Sequence, residues 1–294
     1  MLFKAGSFTG NGARVSVNIG FRPRVIIAKA DTTVAMAFWT PDMWCNRSNS
    51  LGQVSSYISG VLATDSGFVV GSSTLWNTSG VVTHYIAIGD DGASDYDLQS
   101  WCGDQAVNRV IPLSVAKTPI AAIVKRDSNL EAVLKFGSNT VFAQGTAATD
   151  CIAFSSGQVT LTAETRVNQY DSAGGLGEGI EGLFLFASAN CRVVSWTGDG
   201  AAGRIIPTGT LAPVAALVQN PNAGGSSRLV TSSMAGKAGP VTAGAALIAN
   251  EMTISGGDLV IGSNPIVLNA SGLPYSALVW EEKTGQKEIQ QFVL

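Results

Sequence analysis

One short pattern occurs three times along this chain and constrains its fold more than any other feature. Ser7-Phe8-Thr9-Gly10-Asn11-Gly12 returns as Ser100-Trp101-Cys102-Gly103-Asp104 and as Ser195-Trp196-Thr197-Gly198-Asp199-Gly200, at steps of 93 (7 to 100) and 95 (100 to 195) residues. Behind the second and third copies stand Asn108-Arg109-Val110-Ile111-Pro112 and Gly203-Arg204-Ile205-Ile206-Pro207, at matching offsets. In every copy a proline then precedes an apolar run: Pro23 before Val25-Ile26-Ile27-Ala28, Pro119 before Ile120-Ala121-Ala122-Ile123-Val124, Pro213 before Val214-Ala215-Ala216-Leu217-Val218. A repeat of this length is one structural unit used several times over.

The units read as β-structure. In Arg14-Val15-Ser16-Val17-Asn18-Ile19 the apolar residues fall on alternate positions and so share one face of a strand. The proline-led runs are apolar throughout, as central strands buried on both faces are. Late in each copy Gly67, Gly157 or Gly257 introduces another strand, and Asn77, Asn168 or Asn269 opens a turn into a last apolar strand. Residues 54–63 are the best place for a short helix. The expected architecture is all-β, three tandem sandwich-like modules in a row over residues 1–97, 98–192 and 193–294, each enclosing its own core.

Composition narrows the function. Only 13% of residues are charged and the net charge is −3, so the chain offers no basic surface for phosphates and nucleic acid is excluded as a partner. No apolar run approaches the roughly 18 residues of a membrane helix, and no secretory leader is evident, so a soluble protein made in a cytoplasm, without membrane insertion, is expected. Cys45, Cys102, Cys151 and Cys191 are too widely spaced for a zinc site and read as small hydrophobes. No cofactor and no metal is expected.

Candidate chemistry is sparse. His84, the only histidine, is the one base that a serine or cysteine triad could use, and it reads as a turn or strand-face residue. Asp171, Glu178 and Glu181 could supply paired carboxylates for glycoside cleavage, but they surround a Gly-rich loop found in one copy. The segment from Asp90 to Asp97 concentrates oxygen ligands of the kind calcium takes but misses the EF-hand spacing, and it reads as a solvated linker between modules in preference to a calcium site. Phe38, Trp39 and Trp44 are peculiar to the first module and are either a binding surface or a plug in its core. Trp101 and Trp196 occupy equivalent positions and suit a shared core role. Asn46, Asn77 and Asn269 begin Asn-x-Ser/Thr triplets that read as turns.

The first module, with Gly6-Ser7-Phe8-Thr9-Gly10-Asn11-Gly12, Gly20-Phe21-Arg22-Pro23 before Val25-Ile26-Ile27, Gly67-Phe68-Val69-Val70-Gly71, and Asn77 leading to Tyr85-Ile86-Ala87-Ile88, resembles modules in virion proteins of tailed bacteriophages. The resemblance covers about a third of the chain and rests on turn and strand residues. It implies a structural virion protein of the tail or a surface fibre or spike, a homo-oligomer assembled with other virion proteins; separately, the lone His84 and the one-copy acidic loop form no organised acid–base pair, so no enzyme is expected. A host-surface glycan is the alternative partner, bound around Trp39 and Trp44, and polysaccharide cleavage is the third reading. The segment from Glu282 to Leu294 is expected either to leave the third module and dock on a neighbouring module or subunit through Ile289, Phe292, Val293 and Leu294, or to add an edge strand to its own sandwich.

Overall fold

The computed structural model describes all residues except 44–46, 53–57, 129, 146–149, 170–178, 210–211, 223–224 and 285–294. The chain is all-β. Its first segment carries β1 (Leu2–Thr9), β2 (Val15–Asn18), β3 (Pro23–Ala30), β4 (Ala37–Trp39), β5 (Arg47–Ser50), β6 (Ile58–Ser59), β7 (Val61–Thr64), β8 (Gly67–Val70) and β9 (Val82–Gly89). The second carries β10 (Tyr96–Cys102), β11 (Arg109–Pro112), β12 (Ala121–Arg126), β13 (Val133–Phe136), β14 (Asn139–Phe142), β15 (Ile152–Ser155), β16 (Gln158–Leu161) and β17 (Gly179–Leu185). The third carries β18 (Cys191–Thr197), β19 (Ile205–Ile206), β20 (Pro213–Val218), β21 (Arg228–Thr231), β22 (Lys237–Pro240), β23 (Ile248–Ala249), β24 (Met252–Ser255), β25 (Asp258–Ile261) and β26 (Pro274–Glu281). One-turn helices α1 (Thr74–Asn77), α2 (Thr165–Asn168) and α3 (Pro265–Leu268) precede the closing strands.

Each segment makes one large and one small sheet in the same order. The large sheets run β1-β9-β3-β4-β5-β6, β10-β17-β12-β13-β14 and β18-β26-β20-β21-β22-β23; the small ones run β2-β8-β7, β11-β16-β15 and β19-β25-β24. The opening strand pairs antiparallel with the closing strand, whose other edge takes the buried central strand. The second and third opening strands start at Tyr96 and Cys191. Part of the expected helix over 54–63 is β6 and β7; the remainder lies outside the described residues. Val61 and Leu62 show why: one is buried and the next is 46% exposed, which is the period of a strand.

The turn that closes each unit explains two of the repeated residues. Asn77, Asn168 and Asn269 are fully buried at the ends of the three helices. Asn168 donates from Nδ2 to Asp104 Oδ1 and Ala106 O, both at 2.9 Å, and accepts the Asp104 N–H at 3.3 Å. Asn269 repeats these bonds with Asp199 and Ala201, and Asn77 with Asn11 and Ala13. The turn lies so close to the opening strand that a Cβ on Gly10, Gly103 or Gly198 would stand 2.2, 2.1 or 2.0 Å from a backbone oxygen. Only glycine admits that approach.

The three units do not stand in a row as separate sandwiches. Alternate residues of each central strand face opposite ways: Ile26 and Ala28, Ala122 and Val124, and Ala216 and Val218 pack on the small sheet of their own segment. Val25 and Ile27, Ala121 and Ile123, and Ala215 and Leu217 enter a single cluster built from all three segments. A module alone therefore encloses only half of its apolar surface, and the other half is covered by its two neighbours.

Backbone hydrogen bonds close the same arrangement. Leu51 N–H donates to Met36 O, Ala132 N–H to Leu51 O, Ala143 N–H to Ala132 O, Ser227 N–H to Ala143 O, Val241 N–H to Ser227 O and Met36 N–H to Val241 O, at 2.9 to 3.0 Å. All six residues are buried. Every second bond of this cycle crosses from one segment to the next, and each residue pair extends a hairpin ladder: β4–β5, β13–β14 and β21–β22. Lys29 on β3, Lys125 on β12 and Gln219 just after β20 occupy corresponding inward positions, and their buried heads donate to carbonyls. Lys29 reaches Ala245 of the third segment at 3.0 Å, and Gln219 reaches Leu134 of the second at 2.8 Å.

Candidate functional sites

The polar candidates lie in the seams between segments. His84, Glu181 and Ser276 hold corresponding places on the closing strands, opposite Ser7, Ser100 and Ser195. His84 is 5% exposed, and its Nδ1 lies 2.9 Å from Ser233 Oγ on a short turn of the third segment. Burial pushes the imidazole below its ordinary pKa, partly offset by Asp31. Asp31 does not orient the ring: its oxygens take Lys237 Nζ and Leu247 N–H, both at 3.1 Å. With the third member of a triad engaged elsewhere, the His84–Ser233 contact is a bond across a seam.

Ser276 makes the matching bond, accepting Asn139 Nδ2 at 2.8 Å across the seam between the third and second segments. In the remaining seam Glu181 accepts the Ser100 hydroxyl at 2.6 Å. Burial raises its carboxyl to about 7, against the Ser100 hydrogen bond and with the help of the Asp42 and Asp127 carboxylates. Asp171 and Glu178, the other carboxylates considered for glycoside cleavage, lie outside the described residues.

Phe38 and Trp39 are core residues, which removes them from the surface expected of a binding segment. Being consecutive in β4 they face opposite ways, Phe38 (0% exposed) into the shared cluster and Trp39 (2%) into the first segment's own core. Trp44 and Cys45 lie outside the described residues, as does Asn46. Trp101 and Trp196 are buried in the second and third outer cores, Trp101 donating to Val167 O at 3.0 Å. Cys151 and Cys191 are buried thiols, and desolvation pushes Cys151 up to about 12.

The acidic segment 90–97 is an anchor. The Met1 ammonium lies 2.7 Å from Asp95 and 3.0 Å from Asp91, while Lys283 reaches Asp91 at 2.6 Å and Lys117 reaches Asp95 at 3.7 Å. Among the described residues no three acidic, His or Cys side chains converge on a common metal position. Beyond β26 the chain crosses to the first segment: Lys283 and Phe3 exchange backbone hydrogen bonds at 2.7 and 3.0 Å, and Phe3 stacks on Trp280 at 5.3 Å. This junction matches the bridge between Ser188 and Cys191, where the second segment passes into the third. Ile289, Phe292, Val293 and Leu294, expected to form the docking tip, lie outside the described residues.

Large apolar side chains remain on the outer faces of the small sheets. Leu62 on β7, Val110 on β11 and Ile205 on β19 are 46%, 49% and 59% exposed, each beside a residue buried on the opposite face. No helix of the described residues is long and apolar enough to cross a membrane. No family model matches the chain, and comparison with the curated proteins returns no significant match.

Proposed function

We propose that this chain is a structural protein of a tailed-bacteriophage virion, a tail, fibre or spike component that acts through assembly with other virion proteins and copies of itself. The observation that carries the reading is the closed cycle from Met36 through Val241 around a core shared by three like-ordered sheets. Such a body has the shape of a trimer made from one chain, and it suits a position of threefold symmetry in a larger particle. Leu62, Val110 and Ile205 face outward from the three small sheets, where lateral neighbours would cover them. The low charge content fits a surface largely engaged by partners. The likeness of the first module's turns and strands to virion modules supplies the phage context.

The test is fractionation of density-purified particles from the phage that encodes the chain, read by quantitative mass spectrometry. The reading expects the protein in the particle at a fixed copy number, and particles with a defective tail or surface when its gene is removed. Its absence from purified virions, with infectivity intact after deletion, contradicts the reading.

A further inference from the structure

The junction between the first and second segments holds a cavity of about 420 Å³ whose wall includes Arg24, Asp90, Ser94, Tyr96, Asp97 and Ser114. It arises where the threefold likeness fails. The central strands carry Arg24, Ile120 and Val214 at the position after their proline; Ile120 and Val214 pack on the shared core, whereas Arg24 is exposed. β3 departs from regular register between Pro23 and Val25, as β20 does between Pro213 and Ala215, so the backbone irregularity is shared and the difference lies in the side chain it carries. Arg24 is a charged residue standing where the other two segments have apolar ones.

The segment that supplies Asp90, Ser94 and Asp97 is fixed before any ligand arrives. Asp91 and Asp95 are held by Met1, Lys117 and Lys283, and Lys117 also donates to Ser94 O at 3.2 Å. Asp97 is 7% exposed and accepts the Ser114 N–H at 2.6 Å and Gln99 Nε2 at 3.1 Å, both on Oδ2. Its Oδ1 accepts no hydrogen bond from the described residues. An acceptor at the wall of a polar cavity, left without a donor, is suited to a ligand hydroxyl.

We infer that this cavity is a binding site for an uncharged saccharide unit. Asp90 and Asp97 accept from ring hydroxyls, Arg24 donates to hydroxyl or ring oxygens, Ser94 and Ser114 extend the polar wall, and the Tyr96 ring supplies an apolar surface for a sugar face. Two carboxylates beside one guanidinium disfavour phosphates and uronates, so the selection is for neutral sugars. The volume lies within the range of small-ligand sites, roughly 300–1,000 Å³. The inference does not depend on the virion reading: a chain missing from particles that still binds sugars here leaves it intact, and a chain that assembles but binds none overturns this inference alone.

The experiment is titration of the full chain with glucose, galactose, N-acetylglucosamine and glucuronate, followed by saturation-transfer and chemical-shift NMR. Saturable binding of at least one neutral sugar is expected, with no binding of glucuronate. Arg24→Ala and Asp90→Asn should each weaken that binding about tenfold. Both residues are exposed, so the variants should unfold at the same temperature as the parent. Tyr96→Phe, which keeps the ring, should retain most of the affinity. Absence of saturable binding by every neutral sugar, equal affinity in Arg24→Ala and Asp90→Asn, or preference for glucuronate overturns the assignment.

Discussion

The amide of Met36 donates to the carbonyl of Val241 at 3.0 Å, and this bond joins the third segment back to the first. With it every member of the cycle both donates and accepts, and no member has water as an alternative partner because all six residues are buried. Opening any one bond strands two buried polar groups, so the cycle opens as a unit. Hydrogen exchange should find the amides of Met36, Leu51, Ala132, Ala143, Ser227 and Val241 equally protected and exchanging only through global unfolding. Fast exchange at Met36, Ala132 and Ser227, the three that cross between segments, with protection of the other three, would show the segments opening independently.

The asparagine clasp predicts a local but costly lesion. Asn168→Ala leaves the Asp104 N–H and the Ala106 carbonyl without their buried partner and frees Arg109 from a 3.1 Å contact. The expected loss is about 2–4 kcal/mol of unfolding free energy, measured by urea denaturation. A loss below about 0.5 kcal/mol would mean that water replaces the side chain without penalty.

Trp280 predicts a lesion with distant consequences. It is fully buried in the shared cluster and stacked on Phe3 of the first segment. Trp280→Ala should cost about 3–5 kcal/mol. Because the cavity opens in the common core, the midpoint should fall alike for probes in the first and third segments. A shift confined to third-segment probes contradicts the shared core.

Glu181 sets a pH dependence. Its carboxyl titrates near 7 in the folded chain, against 4.5 as its ordinary value. Below about pH 4.5 both folded and unfolded states hold the proton, and the group has no effect on stability. As pH rises from 4.5 to 7 the unfolded state ionises first, so stability is progressively lost, by on the order of 3 kcal/mol once the pH exceeds 7. Glu181→Gln should therefore flatten the stability profile between pH 4.5 and 7 and stabilise the chain above pH 7. A variant whose profile remains parallel to the parent's shows that Glu181 ionises normally in the fold.

Local chemistry made much of the fold legible. Alternation identified β2, the prolines marked β3, β12 and β20, and the asparagines marked the turns into β9, β17 and β26. The shared core was not legible for a physical reason. A run such as Val25-Ile26-Ile27-Ala28 reads the same whether its second face meets its own module or two others, since both environments are apolar. Phe38 and Trp39 mislead in a related way: adjacent aromatics suggest a patch, but consecutive strand positions point to opposite faces and send them to different cores. The Arg24 cavity joins residues about 70 positions apart (24 to 97), which no local pattern reports. In the described part of the segment expected to be helical, Val61 is buried and Leu62 exposed, the alternation of a strand.

Three modules that make one body unfold together, which calorimetry of the full chain detects. A single unfolding transition is expected, with calorimetric and van't Hoff enthalpies that agree, together with no cooperative transition for residues 191–294 expressed alone as a monomer. Separate transitions in the full chain, or a monomeric 191–294 fragment unfolding cooperatively at the temperature of the whole protein, would contradict it.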